Sequence, residues 1–137
     1  MHRNKTMRNA LSINKYINKF LTESEAVTAL VSVSNIRPLI LAPTIFPYIS
    51  FMHGNIVSDY TKDGWFEDRT EVTIICVSDD YGQTVDIAEA VRELLDDKAY
   101  SDDDIFISEI RLSGATEDQI ENVFVQRLSF SVKINAF

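Results

Sequence analysis

The sequence contains few of the residues from which catalytic and metal sites are built. It has one cysteine and two histidines in 137 residues. Neither His2 nor His53 has a cysteine or a second histidine at the spacing of a zinc site. No glycine-rich phosphate loop and no GxSxG nucleophile elbow occurs. The sequence therefore predicts no catalytic residue, no cofactor and no metal ligand.

Glycine and proline are also scarce, with four and three residues. Their scarcity argues against a many-turned β-sandwich and leaves room for helices and long strands. No apolar run is long enough to span a bilayer. Residues 1–21 lack the apolar region of a secretory signal, although a basic amphipathic transit peptide stays an alternative for them. We expect a mobile basic tip at residues 1–9 and a single domain at 10–137.

Charge is distributed unevenly along the chain. Five of the 13 basic residues and none of the 21 acidic residues lie in residues 1–22, which leaves a net charge of −13 on the rest. Because affinity for nucleic acid comes mainly from neutralising phosphates, the acidic body argues against tight DNA wrapping. The basic segment is either a solvated helix face or a docking arm.

A strand that runs directly into a helix organises the chain. Thr70–Ser78 is β-branched and apolar, with Val72, Ile74 and Cys76 on one face. A helix over Val85–Leu95 follows, with Thr84 as its predicted N-cap. The position of Cys76 in the apolar strand predicts a buried, inert thiol.

The segments before this unit predict helices followed by two strands. Ala10–Leu21 has helical periodicity, and Thr22 offers an N-cap for a short second helix. Ile36–Leu41 contains a proline, so we place it at a sheet edge or as an extended arm. Tyr48–Tyr60 predicts a long strand that is weakened by a bulge or bend at Gly54.

The segments after the unit predict two more strands. Ser101–Asp104 is a polar break, Ile105–Leu112 a strand, Gly114–Gln119 a turn, and Glu121–Ile134 a strand with one wet face. The fold class is α+β: a mainly antiparallel sheet of about five strands, with helices packed on one face, in the order α-(α)-β-β-β-α-β-β.

Two groups of residues are candidates for contact with partners. Large apolar side chains in a polar loop either fold back onto the core or are reserved for a partner. The predicted interface is the loop Tyr60, Lys62, Asp63, Gly64, Trp65 and Phe66. The predicted acidic surface or channel lumen comprises Asp96, Asp97, Asp102, Asp103 and Asp104. The last three lack the alternating pattern of a calcium loop, and we interpret them as a solvated turn.

Three short strings carry a family resemblance. Asn35–Leu39, Ala42-Pro43 and Phe46–Phe51 resemble the opening of tailed-phage tail completion proteins, also called tail terminators or head–tail joining proteins. In that family a Glu-Val-Thr-Ile-like strand, one helix and two final strands follow. Thr70–Ser78 and Val85–Leu95 occupy the places of that strand and helix. The resemblance covers roughly residues 23–134.

The resemblance implies a structural protein without catalysis. Such proteins form rings, commonly hexamers, at the head-proximal end of the tail tube. The implied partners are further copies of the chain, the tail tube protein and the head connector protein, with DNA only in passage and no membrane. The implied location is the virion tail, and the host cytoplasm during assembly. The alternative is a small cytosolic α+β adaptor or peptide-binding module without catalysis.

Overall fold

A computed structural model describes residues 9–39, 45–60 and 66–136, with the side chains of Phe66 and Ala136 excepted. Its helices are α1 (Ile13–Thr22), α2 (Glu25–Thr28) and α3 (Tyr81–Leu95). Its strands are β1 (Ile36–Pro38), β2 (Tyr48–His53), β3 (Val57–Tyr60), β4 (Phe66–Ser78), β5 (Lys98–Ser101), β6 (Phe106–Ile120) and β7 (Val123–Ala136). Short 3-10 turns precede α1 and β1, at Ala10–Ser12 and Val33–Asn35.

The strands form a single sheet in the order β1-β2-β4-β7-β6-β5, and β3 pairs with β4 beyond the end of β2. Every pairing is antiparallel except that of β1 with β2. The α+β class and the mainly antiparallel sheet are therefore confirmed. In the described chain the sheet has seven strands, so the prediction of about five is wrong, and two additional strands change the predicted order.

The first additional strand arises because the predicted Tyr48–Tyr60 strand is divided at Gly54. The Gly54 amide donates to the Glu71 carbonyl at 2.7 Å, and the Gly54 carbonyl accepts from Thr70 Oγ1 at 3.2 Å. The chain leaves the ladder there and returns to it at Val57. The second additional strand is β5, which the sequence analysis did not predict.

The core lies between the helices and one face of the sheet. Val72, Ile74 and Cys76 of β4 are fully buried, as their alternation predicts. Phe130 of β7 and Phe51 of β2 share that face and are among the largest fully buried side chains. The helices cover it with the following residues: Ile13, Ile17, Phe20 and Leu21 from α1, Val27 from α2, and Ile87, Val91 and Leu95 from α3.

Both predicted N-caps are wrong by a few residues. Helix α2 is capped by Ser24, whose hydroxyl accepts from the Val27 amide at 3.3 Å. Helix α3 is capped by Asp80, whose carboxylate accepts from the Gln83 amide at 2.8 Å. Thr22 instead donates to the Asn18 carbonyl at 2.7 Å, inside α1. Thr84 lies buried within α3.

The predicted turn at Gly114–Gln119 is also wrong, because β6 continues through it to Ile120. Gly114 pairs with Ser129 next to a register shift that follows Leu112, so the glycine lies beside a bulge rather than in a turn. The real turn lies between Ile120 and Val123, where Glu121 has a φ of 56°. The long β6–β7 hairpin therefore has a two-residue connection.

Candidate interaction surfaces

The predicted interface loop lies mostly outside the described residues. Tyr60 ends β3 and pairs in register with Phe66 at the start of β4. Tyr60 is 64% exposed. Lys62, Asp63, Gly64 and Trp65 lie outside the part of the chain that the structure describes. The described residues on either side of the loop are thus the last pair of the β3–β4 ladder.

Exposed apolar side chains concentrate on the same side of the sheet, at and next to β1–β3. Five of the ten large apolar residues that are exposed in the described chain lie between residues 39 and 60. We call them the edge patch: Leu39, Ile45, Met52, Val57 and Tyr60. Of these, sequence reasoning found only Tyr60. The other four lie in separate segments around β1, β2 and β3, and the sheet order brings these segments to one side.

The predicted acidic residues form two groups at opposite ends of β5. Asp96 and Asp97 precede the strand and Asp102–Asp104 follow it, about 13 Å away at the rise of a four-residue strand. Asp102 accepts hydrogen bonds from the Asp104 and Ile105 amides at 2.7 and 2.9 Å and from the Tyr100 hydroxyl at 3.0 Å. These bonds, first that of Asp104, lower the pKa of Asp102. The carboxylate of Asp102 therefore holds a turn.

Residues 9–39, 45–60 and 66–136 contain no group of three or more histidine, cysteine, aspartate or glutamate side chains that could hold a metal ion. None of the helices in these residues combines the length and the hydrophobicity that a membrane crossing needs.

Charges on the sheet face that points away from the helices are paired. Arg69 contacts Asp59, and its Nε lies 3.5 Å from Glu67. Glu109 lies 2.5 Å from Arg111 and 3.3 Å from Lys133, and both contacts lower its pKa. A third pair joins Arg127 to Asp118 at 3.7 Å. Because each of these cations has a carboxylate neighbour, the described residues of this face form no unpaired basic stripe for nucleic acid.

The outer edge of β6 is open over its second half. Strand β5 pairs with β6 only as far as Ile110. The Asp97 amide then donates to the Ile110 carbonyl at 2.7 Å, and Asp96 Oδ1 accepts from the Leu112 amide at 2.9 Å. Within the described residues no strand pairs with this edge from Ser113 to Ile120. We call residues 113–120 the free edge.

A groove separates the free edge from α3. It has a volume of about 100 Å³ and is lined by Val85, Ala88, Glu89, Arg92, Leu112, Ala115, Gln126 and Leu128. An open cleft of about 420 Å³ adjoins it, lined by Glu89, Arg92, Glu93 and Asp96. The groove is thus apolar at its floor and mainly acidic at its rim. Sequence reasoning missed it because Gly114–Gln119 was predicted to be a turn.

The end of the hairpin is held against the start of α3. The Tyr81 hydroxyl and Gln126 Nε2 both donate to Glu117 Oε2, each at 2.9 Å. The Tyr81 ring also meets Phe124 edge-on at 5.5 Å between centroids. The two hydrogen bonds, that of Gln126 first, lower the pKa of Glu117. These contacts fix the position of the free edge relative to α3.

Comparison with known proteins gives a matching family and a similar fold among solved structures. The model of the family described as tail completion protein gp17 matches residues 15–134. A chain in the solved structure titled "Virion of native gene transfer agent (GTA) particle" has a TM-score of 0.74 and 14% sequence identity, over 87% of this chain and 91% of that chain. At that identity the likeness shows a shared fold. Comparison with curated proteins finds no match.

The match confirms the resemblance that Asn35–Leu39 and Phe46–Phe51 indicate. It extends from the first turn of α1 to the last strand, and so it covers most of the chain. The protein therefore belongs to the tail completion protein gp17 family, whose members are structural proteins of the tailed-phage virion located in its tail.

Proposed function

We propose that the protein closes the head-proximal end of the tail tube and joins it to the head connector, as a ring of identical subunits. The observation that carries the proposal is the family match over residues 15–134, because tail completion is the role that the family's description states. The assembly forms in the host cytoplasm and is retained in the virion.

The two flanks of the sheet support a ring. A ring needs a heterologous contact, in which one patch of a subunit meets a different patch of the next. The edge patch lies on the β1–β3 side of the sheet, and the free edge of β6 lies on the other side. The described chain thus presents two unlike surfaces at opposite ends of one sheet, which suits repeated head-to-tail contact.

The remaining surfaces suit contacts outside the ring. We propose that the loop containing Lys62, Asp63, Gly64 and Trp65 contacts the tail tube protein, since it connects β3 to β4 and contains a large apolar residue among polar ones. The exposed carboxylates of Asp97 and Asp102–Asp104 keep the subunit from adhering to DNA in passage, because like charge lowers affinity for phosphate.

A matched pair of valine substitutions tests the ring. Val57 in the edge patch is 47% exposed, and Val33 in the 3-10 turn is 54% exposed. A buried unpaired carboxylate opposes association, so Val57→Glu should leave a folded monomer whereas Val33→Glu should assemble like the wild type. Native mass spectrometry would give the stoichiometry, with and without tail tubes that lack this protein.

Joining itself is measured by mixing such tubes with filled heads and counting infectious particles. Wild type and Val33→Glu should restore infectivity, and Val57→Glu should not. A wild-type protein that stays monomeric both alone and on tubes would overturn the ring. Full joining by Val57→Glu would exclude the edge patch from the interface.

A further inference from the structure

The free edge and the groove together have the form of a site for one extended segment. Open strand edges present unpaired backbone amides and carbonyls and are templates for an added strand. A segment placed along residues 113–120 would continue the line of β5, which ends its pairing at Ile110. Its backbone would bond to β6, and alternate side chains would enter the groove beside α3.

The lining of the groove selects the side chains that fit. Its floor is apolar, with Val85, Ala88, Leu112 and Ala115 among the lining residues. Its rim carries Glu89, Glu93 and Asp96 against a single cation, Arg92. Long basic side chains meet both demands, because their aliphatic stems pack on apolar surface while their charged heads reach the carboxylates.

Residues 1–8 of the chain have this character. They read Met-His-Arg-Asn-Lys-Thr-Met-Arg, with three basic residues and no acidic residue. Eight residues of extended chain span about 26 Å, the length of the eight-residue free edge. They contain no proline, so each residue can donate its amide to a strand ladder.

The segment is too short to lie along the site of its own subunit. Asn9 Nδ2 donates to the Asp104 carbonyl, which fixes the start of the described chain beside the end of β5. The free edge begins beyond Leu112, six residues along β6 from Phe106, or about 20 Å away. Residues 1–8 would use most of their reach of about 26 Å to arrive there, and could not also lie along it.

We propose that residues 1–8 of one subunit bind as an added strand along the free edge of a second subunit, with the side chains of Arg3 and Lys5, which share one face of a strand, in the acid-rimmed groove beside α3. This inference rests on the self-association of subunits in the proposed function. It assigns one of the contacts that hold neighbouring subunits together. The edge patch contributes its own contact on the other flank.

Disulfide trapping between full-length chains tests the arm. One chain carries Thr6→Cys, and the other carries Ser113→Cys, Thr116→Cys or Gln119→Cys in turn. The native Cys76 is buried and does not compete. Because a disulfide requires Cα atoms within about 7 Å, at least one pair should form a covalent dimer after mild oxidation. The control partner Glu25→Cys, exposed on α2, should give none.

Charge reversal provides a second readout on the whole chain. The triple variant Arg3→Glu, Lys5→Glu, Arg8→Glu should raise the concentration at which subunits dissociate by on the order of tenfold. Combining it with Glu89→Lys and Glu93→Lys should restore most of that loss. The control Lys15→Glu changes a charge on α1 and should leave the dissociation concentration unaltered.

The outcomes separate this inference from the ring itself. A wild-type ring that gives no trapping at residues 113–119, and that is insensitive to the triple variant, would overturn the arm and leave the ring intact. Trapping between two copies without a closed ring would support the arm and count against the ring. Equal trapping at Glu25→Cys would overturn the arm.

Discussion

Replacing Asp80 should loosen the start of α3, and the chain supplies its own control beside it. The Asp80 carboxylate accepts from the Gln83 amide at 2.8 Å and so satisfies one of the first amides of the helix. Asp79 is also exposed and acidic but does not cap α3. Asp80→Ala removes both the acceptor and the negative charge at the positive end of the helix, whereas Asp79→Ala removes only a neighbouring charge.

The size of the effect follows from the cap. Loss of an N-cap acceptor costs about 1 kcal/mol of unfolding free energy. With an unfolding entropy of about 2.1 cal/mol/K per residue, a chain of 137 residues loses roughly 3–4 °C in Tm for that change. Asp80→Asn keeps an acceptor at the same position and should lose only a few tenths of a kcal/mol.

Urea and thermal unfolding, followed by far-UV circular dichroism at a protein concentration that keeps subunits apart, would measure the series. We expect Asp80→Ala to be the least stable variant, followed by Asp80→Asn and then Asp79→Ala. Equal losses for Asp80→Ala and Asp79→Ala would refute the assignment of the cap. A loss in Asp80→Asn as large as that in Asp80→Ala would show that charge, rather than the hydrogen bond, stabilises the helix.

Two further predictions concern titratable groups. Burial raises the pKa of Cys76 to about 12, so a thiol reagent at pH 8 should modify none of the native protein and one thiol per chain in denaturant; rapid native modification would contradict the burial. The Tyr81 and Gln126 hydrogen bonds lower the pKa of Glu117, so their contribution to stability is present above the usual carboxyl range and is lost as pH falls through the lowered pKa. In Tyr81→Phe the pKa of Glu117 should rise toward its ordinary value, as measured by NMR titration of the side-chain carboxyl; an unchanged pKa would exclude the Tyr81 hydroxyl as a cause.

The elements with a clear period were predictable from sequence. The burial of Val72, Ile74 and Cys76 follows from alternation in a strand that is covered on one face, and α3 follows from its apolar spacing. The residues at which these elements begin and end were not predictable. Asp80 and Thr84 are both good capping residues, and the choice between them depends on where the chain leaves β4 rather than on either side chain.

Turn chemistry misled the prediction at the end of the sheet. Gly114–Gln119 is polar and begins with glycine, which usually indicates a turn. In the structure Gly114 lies beside a bulge, and β7 pairs with the whole segment. The actual turn at Glu121 requires a positive φ in a residue that seldom adopts one. The free edge, and with it the groove, therefore became visible only in the structure.

The candidate surfaces were predictable only where unusual residues lie next to one another in the sequence. A tryptophan and a phenylalanine in a polar loop are noticeable in a sequence, and so are three consecutive aspartates. The edge patch is not noticeable in the sequence. Only the order of the strands brings Leu39, Met52 and Val57 to the same edge of the sheet.

The pairing of β4 with β7 has a consequence for the order of folding. Thirteen consecutive residues of β4 pair with β7, across sequence separations of 46 residues at Ser78–Phe124 and 70 at Phe66–Ala136. The β6–β7 hairpin closes locally and should form within microseconds, whereas docking it on β4 must close a long loop first. During synthesis β4 emerges well before its partner β7. Until Val123–Ala136 has been synthesised, the edge of β4 that pairs with β7 in the finished sheet stays unpaired. We therefore expect incomplete chains that lack Val123–Ala136 to aggregate more readily than the complete subunit.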